Sequence, residues 1–473
     1  MAAKLIALCG RVWCSTLLAS PPNLLLIIAD DLGYGDLGCT GSQTIATPNI
    51  DALAASGTFF SQGYVASAVC SPSRAGLMTG RDPRRFGYEG NLNNSAGNYS
   101  TRPELLGLSP TEHTLADHLR AAGYATALIG KWHLGDAQPF HPNRRGFEYF
   151  CGMLNGSHEY FVGADSKGLE RNGAPLRRFS NPYLTDFFTD EAIKQIDKQG
   201  DRPWMMMLSY NAPHTPLQAT KADLQACKHI EDPQRRTYAA MVVGLDRGVG
   251  RVIEHLEETG ERDNTLIVFL SDNGGATDNH SWNGPLSGAK GCMLEGGVRV
   301  PMFWSWPGKV QSGRTSDAVA SSLDILPTFL AAAGAEALEL PPRPSHEDKT
   351  NQPAGNGPGA LDGVSLLPHL VEGESLPERR LFWRLQGQAA VLDGQYKLTR
   401  PGHRPAQLFR PATDPGERDD LAASESDQVR AMYKLLGDWE ASLGTVPLWD
   451  SSPYWWGASA RIYDSYDPRP EPK

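Results

Sequence analysis

Residues 23–31 read Asn-Leu-Leu-Leu-Ile-Ile-Ala-Asp-Asp. Leu24 to Ile28 is a continuous apolar run with no polar alternation, which suits a strand buried on both faces, as strands are in a parallel sheet. It stops at two adjacent carboxylates, Asp30 and Asp31. The pattern recurs along the chain. Ala125–Ile129 leads into Gly130-Lys131-Trp132-His133. Trp204–Tyr210 leads into Asn211-Ala212-Pro213-His214. Thr265–Leu270 leads into Ser271-Asp272-Asn273-Gly274-Gly275. Helical segments separate these runs: Thr47-Pro48 opens one that Gly57 closes, Thr114–Ala122 ends at Gly123, Phe187–Lys198 ends at Gly200, and Tyr238–Glu258 stops at Gly260. Ser, Thr and Pro at helix starts and Gly at helix ends are the expected punctuation. Strands alternating with helices predict βαβ units and an α/β fold on a mostly parallel, mixed sheet flanked by helices.

From Gly334 to Gly359 the composition turns to Pro, Gly and Asn, which predicts a flexible loop over 334–360. Beyond it, Leu381–Arg384, Ala389–Leu392, Tyr396–Leu398 and Gln407–Phe409 read as short strands, with Asp393-Gly394 a hairpin turn and Ser426–Leu443 a helix. The expected organisation is a leader or disordered segment over 1–22, a catalytic domain over 23–378, and an α+β subdomain with an antiparallel sheet over 379–473.

The 473 residues are 40% hydrophobic and 21% charged, the balance of a globular chain, and carry a net charge of −10. An acidic surface repels nucleic-acid phosphates, so no nucleic-acid partner is expected. Any anion site must be a local concentration of positive charge. The seven cysteines include no Cys-x-x-Cys pair, which disfavours a structural zinc site. Met1–Ser20 carries Lys4, an apolar stretch and small residues at Ala19-Ser20, as a secretory signal does, yet Arg11 interrupts the run and Pro21-Pro22 sit poorly after a cleavage point. No later segment offers the ~20 apolar residues of a membrane helix.

Ligands of open parallel sheets bind beyond the carboxyl ends of the strands. Asp30-Asp31 and Asp272-Asn273 would bring oxygen ligands for a hard divalent cation to that rim, although each pair alone also suits a solvated turn. Lys131, His133, His214 and Lys290 would add positive charge and proton donors; with a metal they form an anion clamp for sulfuryl or phosphoryl oxygens. A hydrogen-bonded structural histidine, or a mobile lysine among glycines at 288–291, is the plainer alternative for each. Cys70-Ser71-Pro72-Ser73-Arg74 precedes a helix-like Ala75–Arg81. A cysteine at a helix N-terminus beside arginine is expected to have a lowered pKa, as a nucleophile or modified residue would; a buried structural cysteine is the commoner fate.

The run Cys70-Ser71-Pro72-Ser73-Arg74, followed by Leu77, Thr79-Gly80 and Arg81, resembles the signature Cys-x-Pro-Ser-Arg of type I sulfatases, and Lys131-Trp132-His133 fits the same pattern. The likeness runs from about Asn23 to Pro307, resumes over the C-terminal unit, and points to the branch of arylsulfatase A and N-acetylgalactosamine sulfatases. It implies an alkaline-phosphatase-like sandwich with a C-terminal four-stranded antiparallel sheet and a helix. It implies that a maturation enzyme oxidises Cys70 to formylglycine, and that Asp30, Asp31, Asp272, Asn273 and the modified Cys70 hold one divalent cation, usually Ca²⁺, with Mg²⁺ the alternative. Arg74 would hold the modified side chain, and Lys131 and Lys290 the sulfate oxygens. His214 would protonate the leaving alcohol or share in sulfate binding, and His133 would take a proton from the second hydroxyl of the hydrate. Ser157 and Asn211 would face the substrate.

The implied activity is hydrolysis of a sulfate ester on a sulfated carbohydrate of galactose or N-acetylgalactosamine type, or on an aryl sulfate. The implied compartment is an exported one (periplasmic, secreted or lysosomal-like), with the cytoplasm left open by the ambiguous leader. Two other readings stand beside it: a phosphonate or phosphodiester hydrolase on the same scaffold, and an inactive carbohydrate-binding relative, against which the intact Cys70, Arg74, Lys131, His133, His214 and Lys290 argue. Pocket walls are expected from Tyr88–Asn94, Asn155–Phe161 and His280–Asn283, and Trp455-Trp456 from packing or an interface.

Overall fold

The computed structural model describes residues 20–92, 106–339, 360–443, 453–465 and 471–472. The expected leader, most of the Pro/Gly-rich loop, Asn93-Asn94 of one expected pocket wall, and the side chains of Trp455 and Trp456 lie outside the described residues. No helix among the described residues is long and apolar enough to cross a membrane.

The strands are β1 Asn23–Ala29, β2 Thr58–Tyr64, β3 Ala125–Lys131, β4 Tyr149–Met153, β5 Leu169–Arg171, β6 Ala174–Pro175, β7 Trp204–Ser209, β8 Thr265–Ser271, β9 Met302–Ser305 and β10 Arg314–Ser321, then β11 Arg380–Leu385, β12 Gln388–Asp393, β13 Tyr396–Arg400 and β14 Gln407–Phe409. The helices are α1 Pro48–Ala55, α2 Cys70–Thr79, α3 Leu115–Ala121, α4 Leu184–Ile196, α5 Lys221–Ala226, α6 Pro233–Glu258, α7 Glu295–Val298, α8 Ile325–Ala333, α9 Leu367–Glu372, α10 Ser426–Ser442 and α11 Pro453–Ser465.

The first ten strands form one mixed sheet in the order β10-β2-β9-β8-β1-β7-β3-β4-β5-β6. Its centre, β8-β1-β7-β3-β4, is parallel throughout. Strand β1 explains its own sequence. Its alternate side chains point to opposite faces, and each face meets a separate core. Leu25, Ile27 and Ala29 pack with α1, α4 and α6, while Leu24, Leu26 and Ile28 pack with α2, α3 and α8. With both faces covered, no polar position is left along the strand.

Pairing is in register at the carboxyl ends: Ala29 lies beside Ser271, Ile28 beside Ser209, and Gly130 beside Ser209. The residues that follow these strands therefore emerge on one rim. The boundaries fall close to expectation; the largest differences are at the starts of α6 and α2. Helix α6 begins at Pro233, ahead of Tyr238, because Asp232 caps it by accepting from Arg235 N at 2.6 Å. Helix α2 begins at Cys70 itself, with no intervening loop.

The last four strands form an antiparallel sheet in sequence order, with the β12–β13 hairpin turning at Gly394, φ 57°. One face packs on α10, where Phe382 and Trp439 stack at 5.0 Å. The other face, with Leu381, Trp383 and Leu392, packs on Tyr64, Ala68, Val69 and Met293. Trp383 Nε1 donates to Val65 O at 2.8 Å. The small sheet thus braces the segment that delivers Cys70.

Candidate active site at the carboxyl rim of the sheet

Asp30 and Asp31 follow β1 directly. The chain turns at Asp31, φ 61°, a left-handed conformation uncommon outside glycine and characteristic of functional turns. Asp31 N donates to Asp272 Oδ1 at 3.3 Å, and Asn273 Nδ2 donates to Asp31 Oδ1 at 2.7 Å. Cys70 Sγ lies 3.9 Å from Asp31 Oδ1. Ligand atoms of Asp30, Asp31, Cys70 and His214 all lie within 4.8 Å of one another. Asp30 Oδ1 and Asn273 Oδ1 are buried without a hydrogen-bond partner. Bare buried oxygens are costly unless something compensates them, and oxygen donors are what a hard cation takes. This donor set fits a divalent cation.

Three cationic side chains answer the three carboxylates, and the burial is nearly complete. Arg74 Nε donates to Asp272 Oδ2 at 2.8 Å, and its Nη1 to Ser209 Oγ at 2.7 Å. Lys131 Nζ lies 2.7 Å from Asp30 Oδ2, and Lys290 Nζ 2.7 Å from Asp31 Oδ2. Lys290 is therefore a fixed ion-pair partner, not a mobile surface lysine. Burial pushes the Asp31 carboxyl up, but Lys290, His214 and Lys131 together outweigh it and hold the group well below the usual range. At Asp272 burial and the Asp30 charge win over Arg74, and the pKa rises. Lys290 is held well above its ordinary value by Asp31, Cys70 and Asp30 in spite of burial. Formally, three charges of each sign cancel, so an added dication leaves the pocket positive, the sign an anionic sulfuryl group requires.

Cys70 departs from expectation. Burial drives its thiol up to about 12, and the favourable fields of Lys131 and Lys290 do not overcome it. The desolvation that accompanies a fully enclosed helix start outweighs the pull of nearby cations. The unmodified side chain would be a protonated thiol, poor as a nucleophile.

His133, φ 60°, is buried with Nδ1 unpartnered. Burial, then Lys131, Arg74 and Lys290, hold it well below its ordinary pKa, so it is a neutral imidazole. Its carbonyl accepts from Ser71 Oγ at 2.6 Å. Gly156 packs against the ring: a Cβ there would lie 2.7 Å from His133 Cε1 and Nε2. Ser157, the next residue, is exposed at this rim. His214 Nε2 lies 3.4 Å from Asp31 Oδ2, and its Nδ1 lies 2.7 Å from Thr215 O. Asn211 is buried with Oδ1 unpartnered.

Sequence reasoning passed over Ser209, which accepts from Arg74 and donates to Lys131 O at 2.7 Å, and Asn279, which donates to Asp31 O at 3.0 Å. The position of Ser209 at the end of a buried strand was a usable signal; Asn279 sits in a loop whose path only the fold reveals.

A family model described as Sulfatase matches residues 22–335. N-acetylgalactosamine-6-sulfatase of Mus musculus is 33% identical over 399 residues, covering 80% of this chain and 71% of that protein. Arylsulfatase A of Homo sapiens is 32% identical over 478 residues, covering 88% and 87%. The crystal structure of Ps i-CgsB in complex with k-i-k-neocarrahexaose superposes with a TM-score of 0.81 at 35% identity, over 94% of this chain and 98% of that one. The phosphonate monoester hydrolase of Agrobacterium radiobacter, at 22% identity and a TM-score of 0.60, shares the fold. The architecture is the alkaline-phosphatase-like one expected.

Proposed function

Because this chain belongs to the sulfatase family and is a sulfuric ester hydrolase, we propose that it removes sulfate from a sulfated carbohydrate of galactose or N-acetylgalactosamine type, at the rim where Cys70 meets Asp30, Asp31 and Asp272. That juxtaposition, with Lys131, Lys290 and Arg74 in the same enclosure, carries the reading. The substrate class draws support from the relatives named N-acetylgalactosamine-6-sulfatase and from the similar structure holding neocarrahexaose.

Asp30, Asp31, Asp272, Asn273 and the modified Cys70 would hold a divalent cation, Ca²⁺ or Mg²⁺, which supplies Lewis acidity toward a sulfuryl oxygen and lowers the pKa of a bound hydroxyl. Formylglycine at position 70 supplies, as its hydrate, one hydroxyl to attack sulfur and a second to expel sulfate afterwards. Lys131 and Lys290 neutralise the sulfuryl oxygens. Arg74, bonded to Asp272 and to Ser209 on β7, fixes the start of α2. His214 Nε2 gives a proton to the leaving alcohol. Neutral, buried His133 accepts the proton of the second hydroxyl. Ser157 and Asn211 face the sugar. Cys70 is 1% exposed, so its maturation enzyme must reach it before the chain closes. The working compartment is an exported one.

The test compares turnover of sulfated galactose and N-acetylgalactosamine oligosaccharides, an aryl sulfate and an aryl phosphodiester, with mass spectrometry of the peptide containing residue 70. The expected result is an aldehyde at residue 70, preference for a sulfated sugar, and loss of nearly all turnover in Cys70→Ala. Sustained multiple turnover by Cys70→Ala would refute the formylglycine role, and preference for the phosphodiester would favour the other hydrolase reading.

A further inference from the structure

His214 lies at the end of a four-residue turn, Asn211-Ala212-Pro213-His214, that runs over the rim after β7. Asn211 to Pro213 are buried and His214 is only partly exposed, and an acid catalyst must hold its proton at hydrogen-bond reach of the leaving oxygen. One side chain grips both ends of this turn. Tyr160 is fully buried, and its hydroxyl lies 2.5 Å from Asn211 O and 2.8 Å from His214 O. A phenol has a single proton, so the two carbonyls share it. The ring is itself immobilised. Its backbone N donates to Gln218 Oε1 at 2.7 Å, its carbonyl accepts from Leu184 N at the start of α4 at 2.7 Å, and it stacks on Tyr183 at 5.8 Å. Beyond the turn, Thr215 O can only accept, so the 2.7 Å contact places a proton on His214 Nδ1 and leaves Nε2 turned to the site, 3.4 Å from Asp31.

The geometry points to Tyr160 as the positioning residue for His214, one that keeps the imidazolium Nε2–H aimed at the departing oxygen. This rests on the proposed role of His214 as proton donor. In the step concerned, the deprotonated hydroxyl of the residue-70 hydrate forms a new S–O bond as the S–O bond to the alcohol breaks; the departing oxygen keeps that electron pair and takes the proton from Nε2, leaving neutral imidazole. A sugar alcohol needs that proton because its alkoxide is a poor leaving group. An activated phenol does not. Loss of aim therefore shows as a leaving-group effect and spares the folded state.

The experiment measures kcat/KM for Tyr160→Phe, Tyr183→Phe and His214→Ala on aryl sulfates whose leaving phenols span a wide range of pKa, together with a sulfated sugar. His214→Ala is expected to lose on the order of 100-fold more with the poorest leaving groups than with 4-nitrophenyl sulfate. Tyr160→Phe keeps the ring and its stacking. It should melt as the parent does within a few degrees, lose about tenfold with the poorest leaving groups, and lose less than about twofold with 4-nitrophenyl sulfate. Tyr183→Phe, whose lost hydroxyl bonds Gln218 O and not the turn, should keep the parent's slope. A uniform loss across the series for Tyr160→Phe, or an unchanged slope, while His214→Ala steepens, overturns the assignment of Tyr160. So does a slope equally steep in Tyr183→Phe. A parent-like slope in His214→Ala overturns the donor role of His214, and the positioning role with it.

Discussion

Replacing Arg74 by Met keeps much of the side-chain volume and removes only the guanidinium. The consequences can be counted. Asp272 loses a 2.8 Å ion pair, Ser209 Oγ loses a donor at 2.7 Å and Lys131 O one at 3.2 Å, and Asp30 loses a cation 4.0 Å away. Breaking a buried pair by deleting one partner costs about 3–5 kcal/mol, because the other charge stays desolvated. With an unfolding entropy of about 2.1 cal/mol/K per residue, a chain of 473 residues changes in stability by about 1 kcal/mol per degree near its melting point. Arg74→Met should therefore melt about 3–5 °C below the parent in a single calorimetric transition. The deficit should be larger after chelation than with Ca²⁺ or Mg²⁺ present, because a cation among the carboxylates takes over part of the lost compensation. A variant that melts within about 1 °C of the parent under both conditions would refute the reasoning, since Asp272 and Asp30 would then not depend on that charge.

Dialysis against a chelator should abolish turnover and lower the melting temperature by about 4 °C, the effect of losing a ligand held at about a thousand times its Kd; full activity after exhaustive chelation would remove the cation from the mechanism. Gly156→Ala should lower turnover at least about tenfold with the melting temperature unchanged, because the new Cβ would press on the His133 ring at 2.7 Å while the residue itself sits at the rim; parent-like kinetics would show that the ring has room to move. Burial raises Glu417 to about 7 from 4.5, against the pull of Lys397. The folded chain thus binds a proton that the unfolded chain has already released, and this group's contribution to stability declines as pH climbs between those values. Glu417→Gln should accordingly gain in melting temperature relative to the parent from pH 5 to pH 8, and a pH-independent difference between the two would exclude that titration.

Strand β1 was legible because burial on both faces writes a continuous apolar run, and the four runs that end in polar clusters predicted which residues meet at the rim. The β12–β13 hairpin was legible from its Asp393-Gly394 turn. Cys70 shows where such reasoning stops. Its place near a helix start and its arginine were read, although the helix begins at Cys70 and not at Ala75, but the sign of its pKa shift was not. A field effect can be inferred from neighbours in sequence, whereas desolvation depends on everything that closes over the residue, which the local sequence does not specify. The start of α6 at Pro233 was passed over because its first turn, Gln234-Arg235-Arg236, is polar, and its cap, Asp232, is recognisable only together with the proline.

By itself the sequence determined the class of sheet, the rim, and the set of carboxylates, lysines and histidines that share it, because hydrophobic periodicity and strand ends are local properties of the chain. Tertiary structure alone decided the pairings: Arg74 with Asp272, Lys131 with Asp30, Lys290 with Asp31, and the Tyr160 hydroxyl with the turn of His214. Those partners lie between 51 and 259 residues apart or answer to strand register, and charge balance in a buried site is a matter of angstroms that no local pattern encodes.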